Sequence, residues 1–587
     1  MTPDTSLLQL EQADLLHRLN ETDEDLGVAY LFKHVLTQEA AYQTLLLKQR
    51  RAFHRRVGEA IEQRFPDRLE EFYPELAYHF NEGQEYAKAL HYAILAGDAA
   101  FRLSASAEAI SHYSRALQIL KRGNEMGENI ERVYLNLGRA YELTQRFNEA
   151  VRIYGEMAEA GRKRGDPAMT LSALAAHAVI RVTLTPERDP PLGEQLAKEA
   201  LEIARTLGDR VAEAKVLWVL LLLGWVDRWD ETLLRYGEQS LAIAREMNLT
   251  EQIALTLGDL AFAYGNQGRL EDMLAALNEA RAIWQEMGNI PMQANNLNVV
   301  TMPLFMLGQY RQALEGGLES VRLSKPIGNL WSELSGWLLG GMVALEFGEY
   351  GKAMEMLAEA VRLADQGSLS FQSSLATVVY GWSYTLFGAP GTGLRCIQEG
   401  RNVFDYVAGD IRIWVLGMMA VIYIATGDLD QAEACLREAE PGFNKKNLAM
   451  YGPLHILLAR TRLALARQEY AQAIASADEL VSLREEAGVR LFVSDALYHK
   501  AQALQALGDI ETASACLRVA RDEAQSLNCR RVLWQIFALL AQVDEPNAAK
   551  HRQQAANIVR FIADQTEDAD LREPFLKLAA VHGIILD

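Results

Sequence analysis

A period of 40 residues constrains this chain more than any other feature. The short motif Gly-x-(aromatic or aliphatic)-x-x-Ala, seen as GQYRQA at 308–313 and GEYGKA at 348–353, falls on Gly268, Gly308, Gly348, Gly388, Gly427 and Gly508, with Gln468 filling the one gap. A second set runs in a different phase: Gly208, Asn248, Gly288, Gly328, Gly367, Gly409, Asn447, Gly488 and Asn528. Every member is Gly or Asn, the residues that most readily take the left-handed conformation that ends a helix. Two helix stops per repeat predict two helices per repeat. Between the stops apolar residues recur at helical spacing, as in Leu270, Met273, Leu274, Leu277, Ala280 and Ile283. Small residues such as Ala313, Ala353, Ala432, Ala473 and Ala513 stand where two helices must approach closely. No useful stretch alternates as a strand does. The pattern predicts an all-α fold, an α-solenoid of stacked antiparallel helix pairs in which each repeat touches only its neighbours. Counting the small position at 109, 150, 193, 233, 273, 313, 353, 393, 432, 473, 513 and 549 gives about twelve repeats.

Composition narrows the function classes. The 587 residues hold 78 acidic against 58 basic side chains, a net charge of −20. A diffuse negative field repels phosphate backbones and argues against nucleic acid as a partner. Only 15 prolines occur, as long helices with short connections require, and the four cysteines show no paired spacing. Neither a disulfide framework nor a zinc site is indicated, and a reducing compartment fits. The acidic N-terminus lacks the layout of a signal peptide. The longest apolar runs, Val216–Val226 and Ile413–Ala425, fall short of the ~20 residues that cross a bilayer, so both read as buried core helices. These features predict a cytoplasmic chain with no membrane partner.

The repeat residues resemble the tetratricopeptide repeat. Tyr134, Leu137, Gly138, Tyr141, Ala150 and Tyr154 follow that family's pattern, with Met157 replacing the last Ala. Gly381, Tyr384 and Ile397 follow it in part, as do Tyr423, Ala432, Leu436 and Ala439. The 40-residue period exceeds the family's usual 34 and implies longer helices. The resemblance implies a right-handed solenoid with a concave binding surface. It also implies that first-helix residues around the large apolar position line that surface: Asn295, Asn298 and Met302 around Leu297, then Met342, Trp382 and Trp414 in later repeats. Asn amides can fix a peptide backbone, and Met and Trp offer adaptable apolar contact, so a protein segment, an extended peptide or a small effector fits such a groove. Trp382 and Trp414 have a second reading as filling between lengthened helices.

The front of the chain departs from the repeat. Residues 7–19 read as an amphipathic helix, NETDEDLG (20–27) as a polar turn, 28–34 as a strand, and 37–65 as one long helix capped by Thr37. The string YLFKHVLTQEAAYQTLL with HRRVGEAIE after it is similar to the segment that follows the ATPase module in bacterial signalling ATPases of the STAND type. Many of these carry a class III adenylate or guanylate cyclase domain at the front. Residues 75–100 resemble the first helices of their repeat region, and 571–587 resemble their chain end. The division expected is a winged-helix-like remnant at 1–36, a helical connector at 37–105, the solenoid at 106–563 and a C-terminal cap at 564–587. In that superfamily a winged-helix His touches the nucleotide phosphates, and His34 is the matching position. Its other reading is a strand-end His packed on the next helix. The start at Met1 falls inside the winged-helix-like unit, as an edge of a split gene would.

Several motifs imitate chemistry. GAPGTGLR (388–395) has the glycines of a phosphate-binding loop, but Leu394 stands where the Lys must be, and Gly388 falls on the repeat grid. Basic KQRRAFHRR (48–56) reads as a solvated helix face against the acidic background. Cys396, Cys435 and Cys516 each lie three residues after a small position and read as small buried side chains. No catalytic, cofactor or metal constellation is legible. The expected function is a non-catalytic sensor and interaction scaffold whose partner is a protein or peptide, or an ATPase or cyclase module. The alternatives are part of a split or truncated ATP-binding cyclase with its catalytic domains on another chain, and a fragment of a MalT-like transcription regulator. The latter would want a basic helix-turn-helix that 531–587 does not show.

Overall fold

The computed structural model describes residues 3–18, 30–103, 105–122, 129–183, 185–225, 230–367, 370–398 and 409–584. Among them the only strands are Leu16–Arg18 and Tyr30–Phe32, an antiparallel pair with Leu16 opposite Phe32. Everything else regular is helical. The chain forms two compact units, Met1–Ile180 with Thr185–Glu187, and Arg181–Leu184 with Arg188–Asp587.

The first unit opens with the helix Pro3–Gln12 and the hairpin; the polar stretch 20–27 lies outside the described residues. The single helix expected over 37–65 is in fact two, Val35–Thr44 and Leu47–Arg64, separated by extended backbone at Leu45 and Leu46. Thr37 therefore lies inside a helix and caps nothing; His34 holds the N-cap position without a side-chain bond. Arg50 makes the break inexpensive. Its Nε donates to the Leu45 carbonyl at 3.0 Å and its Nη2 to that of Gln43 at 2.8 Å, so the carbonyls freed by the break keep partners. Helix pairs follow, Tyr86–Arg102 with Ser106–Arg122 and Ile130–Leu143 with Phe147–Arg164. Their packing explains the small-residue motif: the Tyr113 ring fills the space a Cβ at Gly97 would need, and the Tyr154 ring does the same at Gly138. Side chains 16 positions after a first-helix glycine recur in this role in the second unit, as Leu357 against Gly341 and Ile397 against Gly381.

The second unit repeats the pair. Its first helices include Ile290–Met306, Leu330–Glu346, Ser370–Ser383, Gly409–Thr426, Gly452–Ala466, Val493–Ala506 and Arg530–Val543. Second helices such as Tyr310–Ser324, Tyr350–Gln366, Leu429–Ala439 and Ile510–Ser526 return between them. The expected left-handed stops are present at Gly208, Asn248, Gly288, Gly328, Gly488 and Asn528, and at Gly268, Gly308, Gly348, Gly388, Gly427, Gln468 and Gly508, while Gly409 is left-handed at the start of its helix. Two members of the grid depart. Gly367 keeps φ at −81°, and Asn447 serves instead through its side chain, whose Nδ2 donates to Asp410 Oδ1 at 2.7 Å. Helix Gly409–Thr426 is long and apolar enough to cross a membrane, but Ile413–Ile422 are buried against neighbouring helices, as a core helix requires.

One expectation fails: repeats do not touch only their neighbours. The Cys529 thiol donates to Glu346 Oε2 at 2.9 Å, and Arg530 Nη1 to the Phe347 carbonyl at 3.1 Å, both across 183 residues of sequence. The same offset recurs along the unit. Leu448 N–H donates to the Gly265 carbonyl at 2.8 Å, and Arg490 N–H to that of Met306 at 2.8 Å. The coil thus closes on itself: the turns that follow Gly265, Met306 and Phe347 pack on segments about one superhelical turn later. This gives the motif glycines a second role. At Gly308 a Cβ would meet Leu527 Cδ2 at 2.6 Å, and at Gly348 it would meet Arg530 Cβ at 3.0 Å. At Gly427 and Gly508 nothing lies within 4 Å, so no later turn covers them. Gln468 occupies the grid position between those two.

Candidate functional site

The residues expected to line a groove are mostly interior. Asn298, Met302, Met342, Trp382 and Trp414 are buried, and Asn295 is half-buried. Asn298 donates from Nδ2 to the Ser332 carbonyl of the next first helix at 2.9 Å, so it stitches repeats together and does not face an open channel. The count that placed these residues presupposes the shorter repeat; helices such as Ile290–Met306, 17 residues long, rotate the same positions between neighbours. Trp382 and Trp414 follow their second reading, as filling.

What they fill is the inside of the coil. His455, fully buried on Gly452–Ala466, sits 5.9 Å from the Trp382 ring, 6.1 Å from Trp414 and 5.0 Å from Phe492. Tyr451 lies 4.9 Å from Trp414 and 5.7 Å from Phe305. His455 Nδ1 pairs with the Tyr451 carbonyl at 3.1 Å, which makes Nδ1 the protonated nitrogen. Burial pushes the imidazole down to about 4, against that bond and with a further push from Arg531. Four polar atoms here have no hydrogen-bond partner among the described residues: Trp382 Nε1, Trp414 Nε1, Tyr451 Oη and His455 Nε2. Phe492 adds strain, holding φ at 62° at the start of its helix, a conformation costly for a bulky side chain.

Beside this aromatic plug lies a buried charge cluster. Arg531 donates from Nη1 and Nη2 to the two Asp495 oxygens, each at 2.7 Å, and from Nε to Glu346 Oε1 at 2.9 Å. Arg531 is 5% exposed and Glu346 2%. Burial works against the Arg531 charge, but Asp495 and Glu346 outweigh it and hold the guanidinium well above its ordinary value. Burial raises Glu346, with Arg531 opposing, and burial together with Glu346 raises the Cys529 thiol.

Two turns along Gly452–Ala466 from His455, on the same helix face, Arg462 stands half-buried. No hydrogen bond or ion pair reaches its guanidinium among the described residues. Burial lowers its pKa while Asp495 opposes the shift. The next first helix, Val493–Ala506, carries Tyr498 and His499. Gln502 orients both, donating from Nε2 to Tyr498 Oη at 3.1 Å and pairing through Oε1 with His499 Nδ1 at 2.8 Å. Burial pushes His499 down to about 4, and the Arg462 charge adds to that.

His34 is exposed in the first unit, at the N-cap position of Val35–Thr44. Cys435 is buried, with its thiol pushed up to about 12; Cys396 and Cys516 are half-buried. In GAPGTGLR, Gly388 is a left-handed turn and Gly393 abuts Gly381 backbone to backbone, a helix crossing that excludes any Cβ. Of KQRRAFHRR, His54 turns inward, its Nδ1 at 2.9 Å from His79 Nδ1, while Arg51, Arg55 and Arg56 stay exposed. Sequence reading missed His455, Arg462, Asp495 and Arg531. The available signal was a pair of arginines in an otherwise apolar first helix, as in GPLHILLARTRLALA and RRVLWQIFALLA.

The tetratricopeptide repeat family profile matches residues 415–440 and 494–520, two of the helix pairs described above. No match to a curated protein is found. Among solved structures, the crystal structure of the APC/C hetero-tetramer Cut9–Hcn1 is similar over 90% of this chain and 96% of that one, at 13% identity and a TM-score of 0.49. A Rap protein complexed with Competence and Sporulation Factor aligns over 68% of this chain and 99% of its own, at 13% identity and a TM-score of 0.35. Yeast Tom70 aligns over 84% and 96%, at 13% identity and a TM-score of 0.26. The matched repeats and the helix-pair packing make the chain a tetratricopeptide-like α-solenoid.

Proposed function

We propose that the chain is a non-catalytic interaction scaffold, cytoplasmic, that acts as the C-terminal arm of a signalling ATPase or nucleotide cyclase. The observation that carries this reading is a strip of exposed apolar side chains in the first unit: Leu31, Val35, Leu36, Leu46, Leu47 and Phe53. Scattered exposed apolar residues are ordinary, whereas a run of them over a hairpin and two successive helices fits a surface that another domain covers. The strip coincides with the segment similar to the one following the ATPase module in STAND-type proteins. The solenoid supports the reading through its extended, repeated surface, the feature such folds use to hold partners.

The test begins with the coding region beside this one. A phosphate-binding-loop ATPase or class III cyclase encoded there, purified and mixed with the full chain, should form a complex and change its rate of nucleotide turnover. Leu36→Ser with Leu47→Ser should weaken that complex without lowering the melting temperature, because both side chains are exposed. Absence of such a region, or a module that neither binds nor changes rate, refutes the reading.

A further inference from the structure

We infer that the second unit binds a second copy of the chain head to tail, the turn at Leu507–Ile510 of one copy packing on the turns at Gly288 and Ile327 of the next. The inference goes beyond the proposed function and does not rest on an ATPase or cyclase context.

It starts from the contact that the coil already makes with itself. Each repeat has two kinds of turn, one between its own helices and one leading to the next repeat. Around Gly308 a turn of the first kind meets two of the second kind. A Cβ at Gly308 would lie 2.6 Å from Leu527 Cδ2, and one at Gly488 would lie 3.3 Å from Leu307 Cδ2. Leu307 and Leu527 each stand one residue before the left-handed residue of their own turn, Gly308 and Asn528. The contact is therefore reciprocal: an apolar side chain from each kind of turn covers a left-handed glycine of the other. Leu527 is 7% exposed, and Tyr310, two residues beyond Gly308, is buried.

The same positions recur without cover at both ends of the coil. In the later superhelical turn, Leu507, Gly508 and Ile510 stand where Leu307, Gly308 and Tyr310 stand in the earlier one. Leu507 is 57% exposed and Ile510 43%, and a Cβ at Gly508 would meet nothing within 4 Å among the described residues. In the earlier superhelical turn, Leu207, Met247, Met287 and Ile327 hold the position of Leu527, and all four are exposed. Gly208, Gly288 and Gly328 hold that of Gly488, and a Cβ there would also meet nothing within 4 Å. Scattered exposed apolar residues are ordinary. Four at one position of the repeat, beside open left-handed turns, are half of a contact that is complete elsewhere in the same unit.

The occupant follows from continuity with that contact. The open turns between repeats belong to the earlier superhelical turn, and the open turns within repeats to the later one. They end the coil on opposite sides, so they meet only between copies. The register follows as well. Placing Leu507 over Gly288 and Ile327 over Gly508 copies the pairing of Leu307 with Gly488 and of Leu527 with Gly308. Continued at the 40-residue spacing, it also sets Met287 on Gln468 and Met247 on Gly427, so every open turn of both kinds is used. Such a heterologous contact does not close, and further copies extend the superhelix. The net charge of −20 on each copy opposes association, and salt screens that repulsion.

Sedimentation velocity on the full chain tests this. The sedimentation coefficient should rise with concentration over about 1–300 µM, the range in which a small interface dissociates. The rise should be steeper at about 0.5 M salt than at about 0.05 M. Leu507→Glu and Ile327→Glu should each weaken association at least about tenfold, since each buries an unpaired carboxylate. Neither should lower the melting temperature, because both side chains are exposed. Met287→Glu gives a second reading of the same edge. An equimolar mixture of the Leu507→Glu and Ile327→Glu proteins should form dimers and nothing larger, because each supplies the edge that the other lacks. A wild type that stays monomeric throughout, or association that these variants leave unchanged, overturns the inference. A mixture that remains monomeric overturns it too, as a symmetric contact would give that result. So does an Ile327→Glu monomer with a lowered melting temperature, which would put that edge under its own chain. Each outcome is separate from complex formation with an ATPase or cyclase module, which the Leu36 and Leu47 variants report.

Discussion

Replacing Arg531 with Met should damage two parts of the chain that lie 185 residues apart in sequence. The guanidinium makes three charge-assisted hydrogen bonds, two to Asp495 at 2.7 Å and one to Glu346 at 2.9 Å, with donor and acceptors all nearly removed from solvent. Met fills much of the volume, so the cavity contribution is small and the cost is electrostatic. Two buried carboxylates lose their shared cation, and breaking one buried pair typically costs about 3–5 kcal/mol. Protonation of Glu346 offers partial relief. Burial already raises Glu346, and without Arg531 its folded-state pKa rises further above the unfolded value. A carboxyl raised in this way contributes stability that is complete below its unfolded pKa and is lost as pH rises through the folded one. The defect should therefore be largest near pH 8 and shrink towards pH 5. Urea unfolding followed by tryptophan fluorescence gives the magnitude, and hydrogen exchange by mass spectrometry gives the location. Exchange should rise in Leu330–Glu346 as well as in Arg530–Val543. Adding Glu346→Gln and Asp495→Asn should recover most of the loss. A defect under about 1 kcal/mol, or exchange confined to repeats adjacent to 531 with Leu330–Glu346 unchanged, would refute the reasoning.

Two further outcomes follow from the packing. Gly351→Ala should cost about 1–3 kcal/mol of stability by urea titration, because the new methyl collides with the Gln565 carbonyl of a later turn. Gly155→Ala, at a helical glycine with nothing within 4 Å, should instead gain about 0.5–1 kcal/mol. His455, fully buried and held at about 4, should make stability fall with acidification. A depressed folded pKa leaves stability complete above the ordinary value of 6.5 and removes it as pH drops to about 4. That amounts to about 3 kcal/mol at roughly 1.4 kcal/mol per unit, and a His455→Leu protein should show a correspondingly flatter profile over that window.

Much of the fold is legible in the residues because helix pairing is a local matter. The left-handed stops at Gly308 and Gly348 and the contacts of Gly138 with Tyr154 or Gly341 with Leu357 all arise within one repeat, so they recur with its period. Turn-to-turn closure is not periodic in that sense. Nothing within 40 residues of Glu346 announces that its partners are Cys529 and Arg531, since their juxtaposition depends on how far the superhelix advances per repeat. The groove residues were misplaced for a related reason. A template of 34 residues sets helix faces that a repeat of 40 rotates, and Asn298 turns from the channel to the Ser332 carbonyl. The inner charges were readable only as anomalies. His455, Arg460 and Arg462 interrupt a largely apolar helix, and a buried polar residue there needs a partner.

The closure of the coil is most directly tested by the exchange rates of the Arg490 and Leu491 amide hydrogens. Both lie in non-helical backbone before Val493–Ala506, and both donate to the Met306 carbonyl, at 2.8 and 3.2 Å. Residue-resolved hydrogen exchange under native conditions should find them protected as strongly as the neighbouring helices, and exposed together when the contact at Gly308 is broken by substitution. Exchange of both at the rate of an open loop in the unaltered protein would mean that successive turns do not meet, and would contradict the account.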